Sequence, residues 1–213
     1  MSSSSTYIAP QYERSALVTI DLQRDFLSGR FEIVGTAAVV PAIARLVQCF
    51  RMERRPIIHV VRLYQPDGSN VDPSRRRLIE EGTMLVRPGT TGAQIAAPLL
   101  PAPDTVLDSD ALLNGEFQVL GPQEWAMYKP RWGAFFGTAL EAHLRRLEVS
   151  TLVFAGCNFP NCPRTSIYEA SERDFRIVAV DDAISGLYEQ GREELRGIGV
   201  SVVSTAKVIA GVF

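Results

Sequence analysis

A chain of 213 residues is long enough for one domain with a sizeable core, since a globule of that size buries about 70% of the surface its unfolded chain exposes. Apolar residues make up 46% and charged residues 22%, with a net charge of -2; this excludes the basic surplus that nucleic acid or an anionic membrane surface would attract. No stretch reaches the ~20 apolar residues of a membrane span, and three cysteines are too few and too odd for a disulfide framework, which points to a reducing, cytoplasmic setting.

The start, MSSSSTYIAPQYERS, has neither an apolar h-region nor an early basic cluster, so residues 1–14 read as a flexible polar tail ahead of a single domain over 15–213. The first strand is ALVTID, residues 16–21. A helix follows over 37–55, where Val40, Ile43, Ala44, Val47 and Phe50 recur at helical spacing. PIIHVVRLY, residues 56–64, is rich in β-branched residues and reads as a strand buried on both faces. The polar segment after it offers only a short helix near 75–81. Four more strands read at 125–129, 150–156, 175–183 and 200–205. Helices fit at 137–146, 163–174 and 190–197, the last stopped by Gly197 and Gly199. Strands alternating with amphipathic helices predict an α/β/α sandwich around a mostly parallel sheet of about six strands.

In such sheets ligands bind beyond the carboxyl ends of the strands, at the switch point in strand order. Asp21, Arg62, Lys129 and the 156–162 loop stand there, each polar or reactive directly after an apolar run. Cys162 precedes Pro163, a residue favoured at the first helical position; the spacing predicts Cys162 as a helix N-cap, where the helix dipole and free N–H groups would lower the thiol pKa. His59 lies inside a strand and His143 inside a helix, so a Cys/His pair is not expected. Asp21 is the carboxylate placed to take the thiol proton, and Lys129 the cation placed to balance it.

Three separated segments carry a resemblance: TIDLQRDF, then KPRWGAFFGTALEAHLRRLEVSTLVFAG, then G-x5-C (Gly156, Cys162) followed by YEASERDFRIVAVDDA. They resemble the cysteine hydrolases of the isochorismatase-like superfamily, with nicotinamidases, N-carbamoylsarcosine amidases and ureidoacrylate or biuret amidohydrolases among the relatives. The resemblance covers nearly the whole chain. It implies a Rossmann-like fold, hydrolysis of a small amide or ureido C–N bond without a cofactor, and a triad of Asp21 as acid/base, Lys129 as electrostatic partner and Cys162 as nucleophile. It further implies a cis peptide between Cys157 and Asn158, an oxyanion hole of the Asn158 and Cys162 N–H groups, and a homo-oligomer, dimer or tetramer. Nicotinamidases hold a metal with an aspartate and histidines after the second strand; HVVRLYQPDGSNVDPSRRR has no histidine after His59, so neither that metal site nor that activity is expected. Phe159, Pro160, Asn161 and Pro163 replace the residues usual around the cysteine, so no particular relative's substrate carries over.

Alternatives stand beside these readings. Cys157 is structural, or pairs with Cys162 as a C-x4-C redox couple in a thiol or ligand-binding protein that hydrolyses nothing; an inactive interaction domain of the same fold is a further possibility. Arg62 and the run Arg75, Arg76 and Arg77 bind a substrate carboxylate or phosphate, or else serve structure, the run as a solvated helix face paired to Glu80 and Glu81. Phe26, Trp132, Phe135 and Phe159 wall the pocket or pack the core.

Overall fold

The computed structural model describes residues 6–213. Chain order is β1 (Ser15–Ile20), α1 (Arg24–Leu27), α2 (Thr36–Met52), β2 (Ile57–Val61), α3 (Pro73–Glu80), α4 (Ser109–Leu113), β3 (Gln118–Gly121), β4 (Glu124–Tyr128), α5 (Leu140–Arg146), β5 (Thr151–Gly156), α6 (Cys162–Ser171), β6 (Arg176–Ile184), α7 (Glu189–Gly197), β7 (Ser201–Val203) and α8 (Thr205–Val212). The seven strands form one sheet in the order β3-β4-β2-β1-β5-β6-β7. All neighbours pair parallel except β3 and β4. Alternate side chains of the buried β1 serve two separate cores. Leu17 packs with α2 and α8, whereas Ala16, Val18 and Ile20 pack with α5, α6 and α7. These are the two helical layers of an α/β/α sandwich.

Four regular elements were not foreseen, among them the short helices α1 and α4. The antiparallel edge strand β3 is a seventh strand, and α8 begins where the strand at 200–205 was expected to end. The N-terminal expectation also changes: residues 1–5 lie outside the described residues, but the stretch from 6 to 14 is not a free tail. Gln11 N–H donates to Thr151 Oγ1 (2.9 Å), and Ser150 Oγ donates to Gln11 Oε1 (2.8 Å), so Gln11 ties the segment to the start of β5 before β1 begins.

Register sets what stands at the carboxyl end of the sheet. Ile20 is level with Val60 on one side and Gly156 on the other, and Val61 is level with Tyr128. The ladders run one residue beyond the strands: Asp21 N–H donates to Val60 O (2.9 Å), Cys157 N–H to Ile20 O (2.9 Å) and Lys129 N–H to Val61 O (3.0 Å). Residues from four strands are thereby pinned at one height. The chain leaves β1 toward β2 on one side and later adds β5 on the other, so this height is also the switch point of the sheet.

Candidate active site

Asp21 leaves β1 with φ of 52°, a left-handed conformation that costs an L-residue roughly 1–2 kcal/mol and that aspartate tolerates better than most. The turn buries its carboxylate. Asp21 Oδ2 lies 3.0 Å from Lys129 Nζ, while Asp21 Oδ1 is buried and accepts no hydrogen bond from the described residues. Lys129 is fully buried, and its ammonium also donates to Cys162 Sγ (3.1 Å) and Arg131 O (3.3 Å). One cation therefore touches both a carboxylate and a thiol inside the protein.

Cys162 is the first residue of α6, with Asn161 as the N-cap and Pro163 in the first turn. The helix starts one residue earlier than expected, and Cys162 is inside it. The thiol is not acidified. Burial pushes it up to about 11, and the negative charge of Asp21 adds to this; Lys129 and Arg62 pull the other way without cancelling it. At neutral pH the resting sulfur carries its proton.

The loop before α6 differs from expectation in one bond. The Cys157–Asn158 peptide is trans, as is every peptide bond among the described residues. Trans geometry suffices because Cys157 N–H is held by Ile20 O and Phe159 N–H by Ser185 O (2.8 Å). The Asn158 and Cys162 N–H groups donate to no acceptor among the described residues. Cys157 is buried, and its thiol is pushed up to about 12 chiefly by that burial. All three cysteines are free.

A small chamber of about 10 Å³ opens onto Cys162. Of the residues singled out from sequence, Asp21, Phe26, Arg62, Arg75, Trp132, Cys157, Asn158, Asn161 and Cys162 line it. Phe135 and Phe159 do not. Phe135 packs against Phe175 at 6.0 Å between ring centres, and its N–H donates to Glu169. Phe159 is fully buried, edge-on to Tyr188 at 5.4 Å, and fills the space above Gly191. Both are core residues because their backbones point them beneath the α6 side of the sheet.

Sequence reasoning missed Ile33 in the wall, and Gln23 behind it. The buried Gln23 amide accepts from Arg62 N–H (2.8 Å) and donates to Arg62 O (2.7 Å), clamping the backbone beyond β2. Its place two residues after Asp21 was the available signal. His59 stays in the sheet, with Nε2 donating to Glu124 Oε1 (2.9 Å), and His143 stacks on Phe117 at 4.2 Å.

A family model for the isochorismatase domain matches residues 15–206. The chain belongs to the isochorismatase family. A protein named "probable inactive nicotinamidase" from Arabidopsis thaliana is 27% identical over 201 residues, covering 91% of this chain and 93% of its own. A ureidoacrylate amidohydrolase of Methylobacterium radiotolerans is 23% identical, over 89% and 72% of the two chains. Among solved structures, an isochorismatase family protein of Desulfovibrio vulgaris superposes with a TM-score of 0.78 at 33% identity, covering 92% of this chain and 96% of that one. The mostly parallel sheet between helices is thus the fold of the family. Among the described residues no helix is long and apolar enough to cross a membrane.

Proposed function

We propose that this isochorismatase-family protein is a cysteine hydrolase that cleaves a C–N bond of a small amide or ureido compound through a thioester on Cys162. The observation that carries the reading is the buried contact set in which the Lys129 ammonium lies 3.0 Å from Asp21 and 3.1 Å from Cys162. A family relative named as an amidohydrolase supports it.

The raised thiol pKa dictates the order of events. No standing thiolate is stored; the Cys162 proton passes to Asp21 as Sγ attacks the carbonyl carbon. Lys129 stays beside both partners, so the negative charge moves from carboxylate to sulfur without leaving its counterion. The unpaired N–H groups of Asn158 and Cys162 receive the oxyanion. Protonated Asp21 returns its proton to the departing nitrogen, the C–N bond breaks, and the acyl group remains on sulfur. Water then gives a proton to Asp21, attacks the thioester and restores the thiol.

A second reading, an inactive binding protein of the same fold, is favoured by the chamber of only about 10 Å³ and by a relative named as inactive. Acid-quenched intact-mass spectrometry during incubation with small amides and ureas separates the two. The hydrolase forms an acyl adduct and releases amine or ammonia, and Cys162→Ala abolishes both. Neither signal across the panel leaves the binding reading, and a reversible Cys157–Cys162 disulfide on mild oxidation would favour redox chemistry. Self-association and a cytoplasmic setting belong to the same proposal; light scattering measures the first.

A further inference from the structure

Arg62 is the largest fully buried side chain in the protein, 1% exposed, yet none of its guanidinium nitrogens makes a hydrogen bond among the described residues. A buried arginine normally uses its five N–H donors, because leaving them dry forfeits solvation with nothing in return. Asp72 Oδ2 lies 2.9 Å from Arg62 Nη2, close enough for an ion pair but out of line for a hydrogen bond, and neither Asp72 oxygen accepts a hydrogen bond among the described residues. Arg62 is instead held by its planar group, 5.5 Å from the Tyr64 ring centre and 5.3 Å from that of Trp132. Burial opposes its charge, but Tyr64, Asp21, Cys162 and Asp72 outweigh that and hold its pKa above the ordinary value.

Arg75 approaches the same place. Of the three consecutive arginines on α3, Arg76 and Arg77 are exposed and Arg77 pairs with Glu81. Arg75 turns inward, 4.9 Å from the Trp132 ring centre and hydrogen-bonded to Tyr64 Oη (3.2 Å). The chamber of Cys162 thus has three cations around it, Arg62, Arg75 and Lys129, against two carboxylates, Asp21 and Asp72. With the thiol protonated, this leaves a surplus of positive charge facing the reacting sulfur.

We propose that Arg62 and Arg75, stacked on Trp132, recognise a carboxylate, so that the bond cleaved belongs to the amide or ureido group of a small organic acid. This rests on Cys162 being the nucleophile. The unused guanidinium fork of Arg62 supplies the paired donors that a carboxylate accepts. The chamber admits about one water, so a small acid enters as the half-buried Arg75 and Trp132 move aside, replacing their mutual stacking with contacts to its carboxylate.

The test uses two alkylating reagents of nearly equal size, anionic iodoacetate and neutral iodoacetamide, on the full chain at pH 9, with labelling at Cys162 followed by peptide mass spectrometry and glutathione as reference thiol. The rate ratio of iodoacetate to iodoacetamide at Cys162 is expected to exceed that of glutathione by about tenfold, the lower end of what a charge-focusing cleft gives, and to fall toward it in Arg75→Gln. Arg62→Lys, which keeps a cation beside Asp72 but loses the fork, should lower the ratio by less, with circular dichroism confirming its fold. A ratio equal to that of glutathione, or one unmoved in both variants, overturns the carboxylate site and leaves the nucleophile standing. No labelling by iodoacetamide at all overturns the nucleophile and this inference with it.

Discussion

At the scale of the residue, Asp21 has two opposing effects on Cys162. It is the acceptor for the thiol proton during turnover, and its resting charge raises the thiol pKa. Asp21→Asn separates them. Without an ionised carboxylate there is no acceptor, and turnover should fall by about 10²–10⁴-fold. Without the negative charge the thiolate gains relative stability beside Lys129, so the Cys162 pKa should drop below about 11 and iodoacetamide should label Cys162 faster than in wild type at pH 8. A spectator carboxylate would change neither rate, and a purely structural one would expose other cysteines as well. Labelling that slows in Asp21→Asn would sink the charge effect on the thiol, and turnover unchanged in Asp21→Asn would sink the proton-acceptor role.

Elements place these residues, and one glycine controls the closest approach between two of them. Gly156 ends β5 at φ of 133°, and a Cβ there would sit 2.3 Å from the Ile20 carbonyl oxygen, a backbone atom that cannot swing away. Only glycine lets the 156–162 loop leave β5 level with Asp21. Gly156→Ala should therefore cost about 2–3 kcal/mol, combining steric overlap with a backbone region closed to L-residues; urea denaturation measures it, and a loss under about 0.5 kcal/mol would contradict the packing. That spacing was readable, because Gly156, Cys162, Asp21 and Lys129 each follow an apolar run and strand ends are where such sheets carry sites. The side-chain directions were not. Arg75 is one of three adjacent arginines, and only the rotational phase of α3 decides which faces the chamber. Phe135 and Phe159 adjoin motif residues in sequence but face the core, since neighbours along a chain turn to different sides. The edge strand β3 was hidden by having four residues and no fully buried position. Helix α8 was hidden by Val208, Ile209 and Val212, which look strand-like after VSVV; the Ser204 side chain accepting from Lys207 N–H marks its true start.

For the whole molecule, the buried network around Glu124 predicts how stability depends on pH. Glu124 begins β4 and takes both Arg51 Nε (2.7 Å) and Arg51 Nη2 (2.6 Å) from α2, and His59 Nε2 (2.9 Å) from β2. His59 Nδ1 in turn lies 2.8 Å from Thr19 Oγ1 on β1, and Arg51 also donates to Leu99 O (2.6 Å). One carboxylate thus ties a helical layer to three strands. Burial acts to raise its pKa, but the hydrogen bonds and charges of Arg51 and His59 outweigh burial and bring it from 4.5 down to about 2. A folded-state pKa below the unfolded value means that the unfolded chain takes up the proton first. The contribution of Glu124 is therefore complete above about pH 4.5 and lost as pH falls toward about 2. Glu124→Gln cannot ionise and keeps one acceptor oxygen. It should be less stable than wild type at pH 7, because the Arg51 charge keeps a weaker partner, and the gap should narrow as pH is lowered through that window. Urea unfolding of both proteins at pH 7, 4 and 3 tests this. A gap of constant size would show that Glu124 is held by packing and not by its charge, whereas a closing gap places the acid limit of the fold in this network, far from Cys162.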